Sequence, residues 1–430
     1  MYITSFAMIK LRNKIYHLYY YLESKIAFYP SVITLIGILF TGVMFYAESM
    51  HVSNWVVAVI PQLEIKDPDT AKTLLSTIIG VLISLMVFSF SMVMVVLNQA
   101  SSNFSPRLLP GLISNKNHQY VLGIYLATIV YGILIFLSVE SGSDKNQLPI
   151  FSVLMAILFT ILCLALFIYF IHSISQAIQV NNIVKRIYLA ASNRIQLLID
   201  AEKKQVPNFN FEEWHTYKAE EIGYYGGLND RSLRKLMKEK EDLHIKMLPY
   251  KGKFIQKEEP LFATNKSLER EEVNEILSCF QYTDGEFVNE NYVLAFKQLT
   301  EIAVKAMSPG INDPGTAVLC FDYLTVLLNM RMQLSNDMNI ECYDDQYLLK
   351  TTISFEDILS LMFVEFRRYC SEDLVMILKM NELLQYLQQQ AHCTSIYQKA
   401  ITKEVHKLKT EALGKLVNEA DKRVVENSLN

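Results

Sequence analysis

The stretch Ala71–Leu109, AKTLLSTIIGVLISLMVFSFSMVMVVLNQASSNFSPRLL, decides the fold class, because no ionisable side chain interrupts it between Lys72 and Arg107. At about 1.5 Å of rise per residue, a helix of that length exceeds the roughly 30 Å hydrocarbon core of a bilayer. The sequence therefore predicts a membrane span that overshoots. Within it Thr77, Ser84, Ser91, Asn98 and Ser105 recur every seven residues among Leu, Ile, Val, Met and Phe, which on a helix gives one slowly drifting polar stripe.

Working outward, three further uncharged apolar stretches, Ser31–Ala47, Tyr120–Val139 and Ile150–Ile171, are each near the length a spanning helix needs. Acidic residues dominate the first and third connections: Glu48, Glu64, Asp67 and Asp69 in one, Glu140 and Asp144 in the other. Arg107 and Lys116 stand without an acid in the second connection, and Lys185, Arg186 and Arg194 follow the fourth stretch. Excess Lys and Arg mark the cytoplasmic side, so both termini are expected there. Residues 1–30 carry Lys10, Arg12, Lys14 and Lys25 interleaved with tyrosines, the composition of a helix lying in the headgroup layer.

Up to His172 the chain holds nine Lys and Arg against seven Asp and Glu, whereas the remainder holds 31 against 37, so an apolar half precedes a mildly acidic, water-compatible half. No basic patch with interleaved aromatics occurs, which excludes nucleic acid as an expected partner. The six cysteines, Cys163, Cys279, Cys320, Cys342, Cys370 and Cys393, form no C-x-x-C pair and are read as reduced thiols.

After Lys204 the texture changes to short alternating runs broken by Gly and Pro: EEIGYYGG from Glu220, DLHIKMLP from Asp242 and GKFIQKEEPLFAT from Gly252, with the helical NDRSLRKLMKEKE between the first two. From Ser267 the apolar residues fall at helical spacing to the end of the chain. The expected architecture is an α-helical membrane protein with four transmembrane helices followed by a cytoplasmic α+β region. Its parts are an interfacial helix at 1–30, a four-helix membrane domain at 31–180, a helical stalk at 181–204, a β-rich module at 205–265 and a helical bundle at 266–430.

Three groups of residues are candidates for function. Thr77, Ser84, Ser91 and Asn98 are the candidate lining of a water-filled path, since neutral oxygens replace part of an ion's hydration without fixed charge. The same pattern also serves helix packing. Where the long span ends, Ser101, Ser102, Ser105, Pro106 and Arg107 form a candidate interface or ligand motif, with a polar helix end and an anchoring arginine as the plainer reading. Ser308, Pro309, Gly310, Asn312, Asp313, Pro314 and Thr316, in MSPGINDPGTA, are a candidate ligand or helix-cap motif. There Asp313 suits an N-cap and Pro314 the first helical position, so local physics explains most of it. Arg367 and Arg368 in FRRYC are read as a solvated helix face.

No acid or base lies inside any span, which argues against a proton pump with intramembrane carboxylates. Nucleophile-elbow, Walker, zinc-protease and dinucleotide fingerprints do not occur, and neither a catalytic group, a metal nor a cofactor is expected.

NQASSNFSPRLL after the second span and DGEFVNENYVLAFKQLTEIAVKAMSPGINDPGTAVLCFDYL, Asp284–Leu324, resemble the bacterial family of predicted membrane proteins known as domain of unknown function 2254. The resemblance extends from about the first span to the helix containing FRRYCSEDL. The string SPGINDPxTA is its most specific part, and Asn103 stands where a glutamine is more usual. What the resemblance implies is a bacterial inner-membrane protein with four spans and a cytoplasmic C-terminal region; it implies no activity. The functional expectation is a homo-oligomeric channel or facilitator, in contact with the lipid bilayer and with an ion or small molecule as ligand. The alternative is a membrane-anchored sensor or scaffold that binds a ligand or partner at the SPGINDPGT turn.

Overall fold

The structure, a computed structural model, describes residues 27–65, 67–103, 116–139, 148–201, 209–240, 242–282, 288, 290–343 and 345–429. The expected interfacial helix lies almost wholly outside the described residues. The chain divides into two compact units, Met1–Gln179 and Val180–Asn430.

The first unit consists of α1 (Phe28–Ser49), the short α2 (Val52–Val59), α3 (Pro68–Asn103), α4 (Lys116–Ser138) and α5 (Ile150–Ile178). Four of these, α1, α3, α4 and α5, are long and apolar enough to cross a membrane, as the sequence predicts. The middle of the bundle is α4: half of its apolar window is buried, against 11% for α3. Small residues bring α1 onto α4, because a Cβ added at Gly37 would lie 2.8 Å from that of Ala127, and one at Gly123 would lie 2.7 Å from Ile33 Cδ1. Among lipid tails, which compete for apolar surface, such close backbone approach supplies the packing energy. Met44, Leu75, Tyr131, Ile135 and Val153 fill one buried cluster, and Leu82, Val96, Tyr125, Ile129 and Phe170 fill another.

The second unit opens with α6 (Val180–Ala201), which the extended backbone of Gln179, at φ −65° and ψ 123°, separates from α5. Ile183, Val184, Ile187, Ala191 and Ile195 form one buried face at helical spacing. The segment read as a stalk is thus in large part a helix built into this unit. It packs on α9 (Val293–Ala306) and α10 (Pro314–Arg331), with the Tyr188 and Tyr323 rings stacked at 4.5 Å.

Among the described residues eight strands follow α6: β1 (His215–Lys218), β2 (Gly223–Leu228), β3 (Ile245–Met247), β4 (Phe254–Ile255), β5 (Pro260–Thr264), β6 (Phe280–Tyr282), β7 (Met338–Tyr343) and β8 (Gln346–Thr351). They form a five-stranded sheet in the order β1-β5-β3-β8-β7 and a three-stranded sheet in the order β4-β2-β6. This corrects the expectation of an all-helical chain after Ser267, since β6, β7 and β8 lie beyond it. The hairpin β7–β8 turns at Asp345, whose φ of 67° is the left-handed conformation that Asp tolerates. β8 then runs parallel to β3, pairing Ile245 with Leu348. Short helices α7 (Asp230–Lys238) and α8 (Arg270–Leu277) cover the sheets, and Leu233, Met237, Met247, Ile276 and Phe262 complete a buried core.

The helical remainder adds α11 (Phe355–Cys370), α12 (Leu374–Gln388), α13 (Ser395–Lys415) and α14 (Glu419–Ser428). Side-chain caps from Asp313, Ser354, Asp373 and Asn418 start α10, α11, α12 and α14. Phe321, Leu324, Phe363 and Phe366 are fully buried between them, each contributing roughly 1.5–3 kcal/mol of transfer free energy.

Candidate functional site

The four stripe residues Thr77, Ser84, Ser91 and Asn98 are all exposed on α3. They lie on the outer surface of the four-helix unit, not in its interior. Each hydroxyl donates to the carbonyl one turn back in its own helix: Thr77 to Thr73 at 2.8 Å, Ser84 to Gly80 at 2.9 Å and Ser91 to Val87 at 2.9 Å. A hydroxyl has one donor and two acceptor lone pairs, so these three turn acceptor oxygens outward. Around Thr77 and Ser84 the surface hollows into a groove of about 650 Å³, lined also by Ser76, Gly80, Val81, Leu85, Phe88 and Phe167. Its floor exists because Gly80 carries no side chain, and a Cβ placed there would meet nothing within 4 Å. Phe88 and Phe167 meet edge to face at 5.8 Å at its margin. Ser101 and Ser102 fall in the last turn of α3, whereas Ser105, Pro106 and Arg107 lie outside the described residues.

The heptad pattern passes over Ser89, which is fully buried on the opposite side of α3. Its hydroxyl and that of Tyr125 on α4, also fully buried, have no hydrogen-bond partner among the described residues.

In the SPGINDPGT turn, Asn312 adopts φ 48°, and its N–H and that of Ile311 donate to the Ser308 carbonyl at 2.9 and 3.0 Å. Asp313 caps α10: its carboxylate accepts from the Thr316 N–H at 3.1 Å and from the Thr316 hydroxyl at 2.6 Å. Those two bonds hold the Asp313 carboxyl below the ordinary aspartate range. Ser308 donates to the Lys305 carbonyl at 2.7 Å. Pro309, Gly310, Asn312, Asp313 and Pro314 are exposed, and the polar groups at Ser308, Asp313 and Thr316 are taken up by the turn itself.

Arg367 corrects the reading of FRRYC as a solvated face. It is buried, pairing with the equally buried Glu404 and, through Nε at 3.0 Å, with Glu411. Glu404 sits 37 residues downstream on α13, and Glu411 lies further along the same helix, beyond any local pattern. Among the described residues no cluster of His, Cys, Asp and Glu is arranged to hold a metal.

The reading also passes over a cleft of about 180 Å³ in the second unit, walled by Arg194 of α6, Tyr225–Leu228 of β2 and the Pro249–Lys251 loop. The available signal is the GlyGly pair in EEIGYYGG, since glycine inside a strand marks a bulge or a close approach to its backbone. Between β2 and β6 the register pairs Tyr225 with Tyr282 and Gly227 with Gln281, leaving Gly226 as the extra residue.

Four apolar helices followed by a mixed α+β unit define a multi-pass membrane protein with a folded C-terminal region. The chain belongs to the family of predicted membrane proteins DUF2254, which it matches over residues 23–386. Among curated proteins it is similar to uncharacterized proteins of Mycobacterium bovis and Mycobacterium tuberculosis, each 21% identical over 335 residues, an alignment covering 74% of this chain. The chain spans 63% of the length of those curated relatives. No solved structure matches it.

Proposed function

We propose that this protein is a homo-oligomeric channel or facilitator of a bacterial inner membrane, in which α3 helices from several copies line the path. The observation that carries the reading is the outward placement of Thr77, Ser84, Ser91 and Asn98 on a bundle whose own middle is filled by α4. A path bounded by this stripe needs neighbouring copies. Ser76, Gly80 and Ser84, one turn apart on the groove face, are the small residues that let helices approach closely in lipid. The outward lone pairs accept and do not donate, which suits a small monovalent cation. Both termini lie in the cytoplasm on this reading, which the Lys and Arg bias of the connections supports. The alternative sensor role at the SPGINDPGT turn has less support, because Thr316 already uses both Asp313 oxygens.

The test is thallium flux into proteoliposomes together with oligomeric state in native membranes by crosslinking. Ser84→Leu with Ser91→Leu should lower flux by about tenfold or more with assembly intact, as expected when acceptor oxygens are removed from a path. Gly80→Phe has room within one copy and should dissociate the assembly. A wild-type protein that is monomeric, or flux unchanged in the assembled double variant, overturns the reading.

A further inference from the structure

The cleft of the second unit contains a guanidinium with no ion-pair partner among the described residues. Two lysines on its wall are neutralised in place: Lys251 pairs with Glu290 at 3.1 Å, and Lys350 pairs with Asp230 at 3.0 Å and Glu341 at 2.9 Å. Arg194 has no hydrogen bond or ion pair among the described residues, and its Nε is shut off from solvent. A guanidinium presents five donors in a fixed fork matched to carboxylate and phosphate oxygens. Leaving a closed-off donor unmatched costs free energy that an incoming acceptor restores.

The wall facing solvent-sized space is built for close approach. Gly226 is the unpaired residue of the bulge, and Gly227, at φ 128°, occupies backbone space that side-chain-bearing residues rarely adopt. Bulges of this kind gather at binding and catalytic sites because they re-aim the strand. The volume, about 180 Å³, lies below the few hundred cubic ångströms of a drug-sized site.

We infer that this cleft is a binding site for a small oxyanion of metabolite size, a phosphate or a carboxylate, held by the Arg194 fork against the Gly226–Gly227 backbone. The site gives the second unit a ligand-sensing role that does not depend on whether α3 lines a path.

The experiment is calorimetric titration of the full-length protein in detergent with inorganic phosphate, glycerol phosphate and succinate. Binding of at least one probe is expected. Arg194→Gln should weaken it by about tenfold or more, as loss of a bidentate charged contact does, Arg194→Lys should recover part of it, and Arg423→Gln on the exposed face of α14 should leave it unchanged. Preference for the phosphates or for succinate then identifies the source. Should Arg194→Gln fail to fold, hydrogen exchange on the wild-type protein decides, with probe-induced protection expected at residues 225–228 and 249–251. No binding of any probe, binding unaltered in folded Arg194→Gln, or protection confined to other segments overturns the assignment.

Discussion

Glu48, in the last turn of α1, caps the start of α5: its Oε1 accepts from both the backbone N–H and the hydroxyl of Ser152, each at 2.8 Å, across 104 residues of sequence. Its Oε2 accepts from Ser53 of α2, and the Ser53 oxygen accepts the Phe151 N–H at 2.9 Å. Helix α5 has no side-chain cap of its own. Carboxylate and hydroxyl together satisfy two of the four orphan donors of that helix start, and they favour its positive dipole end. Three helices are tied together at one point.

Glu48→Ala should therefore destabilise the four-helix unit by about 1.5–3 kcal/mol, the range for hydrogen bonds to a charged group. Glu48→Gln should recover part of that, because an amide oxygen still accepts from Ser152. Thermal unfolding in detergent, followed at Trp55 with Trp214 replaced by Phe, measures the effect. Equal stability of Glu48→Ala and wild type would dismiss the clamp.

The α1–α4 contact depends on missing side chains. Gly37→Val and Gly123→Val should each cost about 1–3 kcal/mol by overpacking, because the added atoms collide with Ala127 or with Ile33 and the Pro30 backbone. Gly42→Val in the same helix should be tolerated, since nothing lies within 4 Å of its added Cβ. The same unfolding assay ranks the three, and equal effects at Gly37 and Gly42 would contradict the packing described.

Asp313 gives a pH-dependent prediction. Its folded-state carboxyl is lowered by the Thr316 hydroxyl and N–H, so its contribution to stability is complete above the ordinary aspartate value. That contribution disappears as pH falls through the depressed folded value. Asp313→Ala should cost about 1 kcal/mol at neutral pH, as loss of an N-cap does. Asp313→Asn should keep most of the cap and lose its pH dependence. Denaturant unfolding reported by Trp214, with Trp55 replaced by Phe, from pH 7 downward to about pH 3 separates the three proteins across the aspartate range.

How much of this was legible in the sequence follows from the range of each interaction. The four spans were, because twenty or so apolar residues without a charge have few other uses. The N-cap at Asp313 was, because cap, proline and following helix are adjacent. The break at Gln179 was not, since no proline or glycine marks it and VNNIVKRIYLAAS continues a helical pattern. Strands β7 and β8 were missed because QYLLKT reads equally as helix, and only pairing of Leu348 with Ile245, about a hundred residues earlier, selects a strand. For the same reason the stripe was visible as a period but its direction was not. Which side of α3 is covered depends on where α4 and α5 pack. Arg194 and Gly226–Gly227 are brought to one cleft only by the tertiary fold.

The buried pair Arg367–Glu404 is another such long-range contact, and it supports a last prediction. Glu404 also accepts from Lys407 at 2.6 Å, and Lys415 donates to the Arg367 and Arg368 carbonyls at 2.9 Å each, so α13 closes the C-terminal end of α11 with charge. Removing one partner of a buried pair leaves an uncompensated charge, whereas replacing both with apolar residues of similar volume is often neutral. Glu404→Leu alone should cost about 3 kcal/mol or more, softened by the remaining contact between Arg367 and the half-exposed Glu411. The double variant Arg367→Met with Glu404→Leu should return most of that stability. A double-mutant cycle read at Trp214 tests this directly, because a pair whose two single losses simply add would not be coupled, and the closure of α11 by α13 would then have to come from Lys415 and apolar packing.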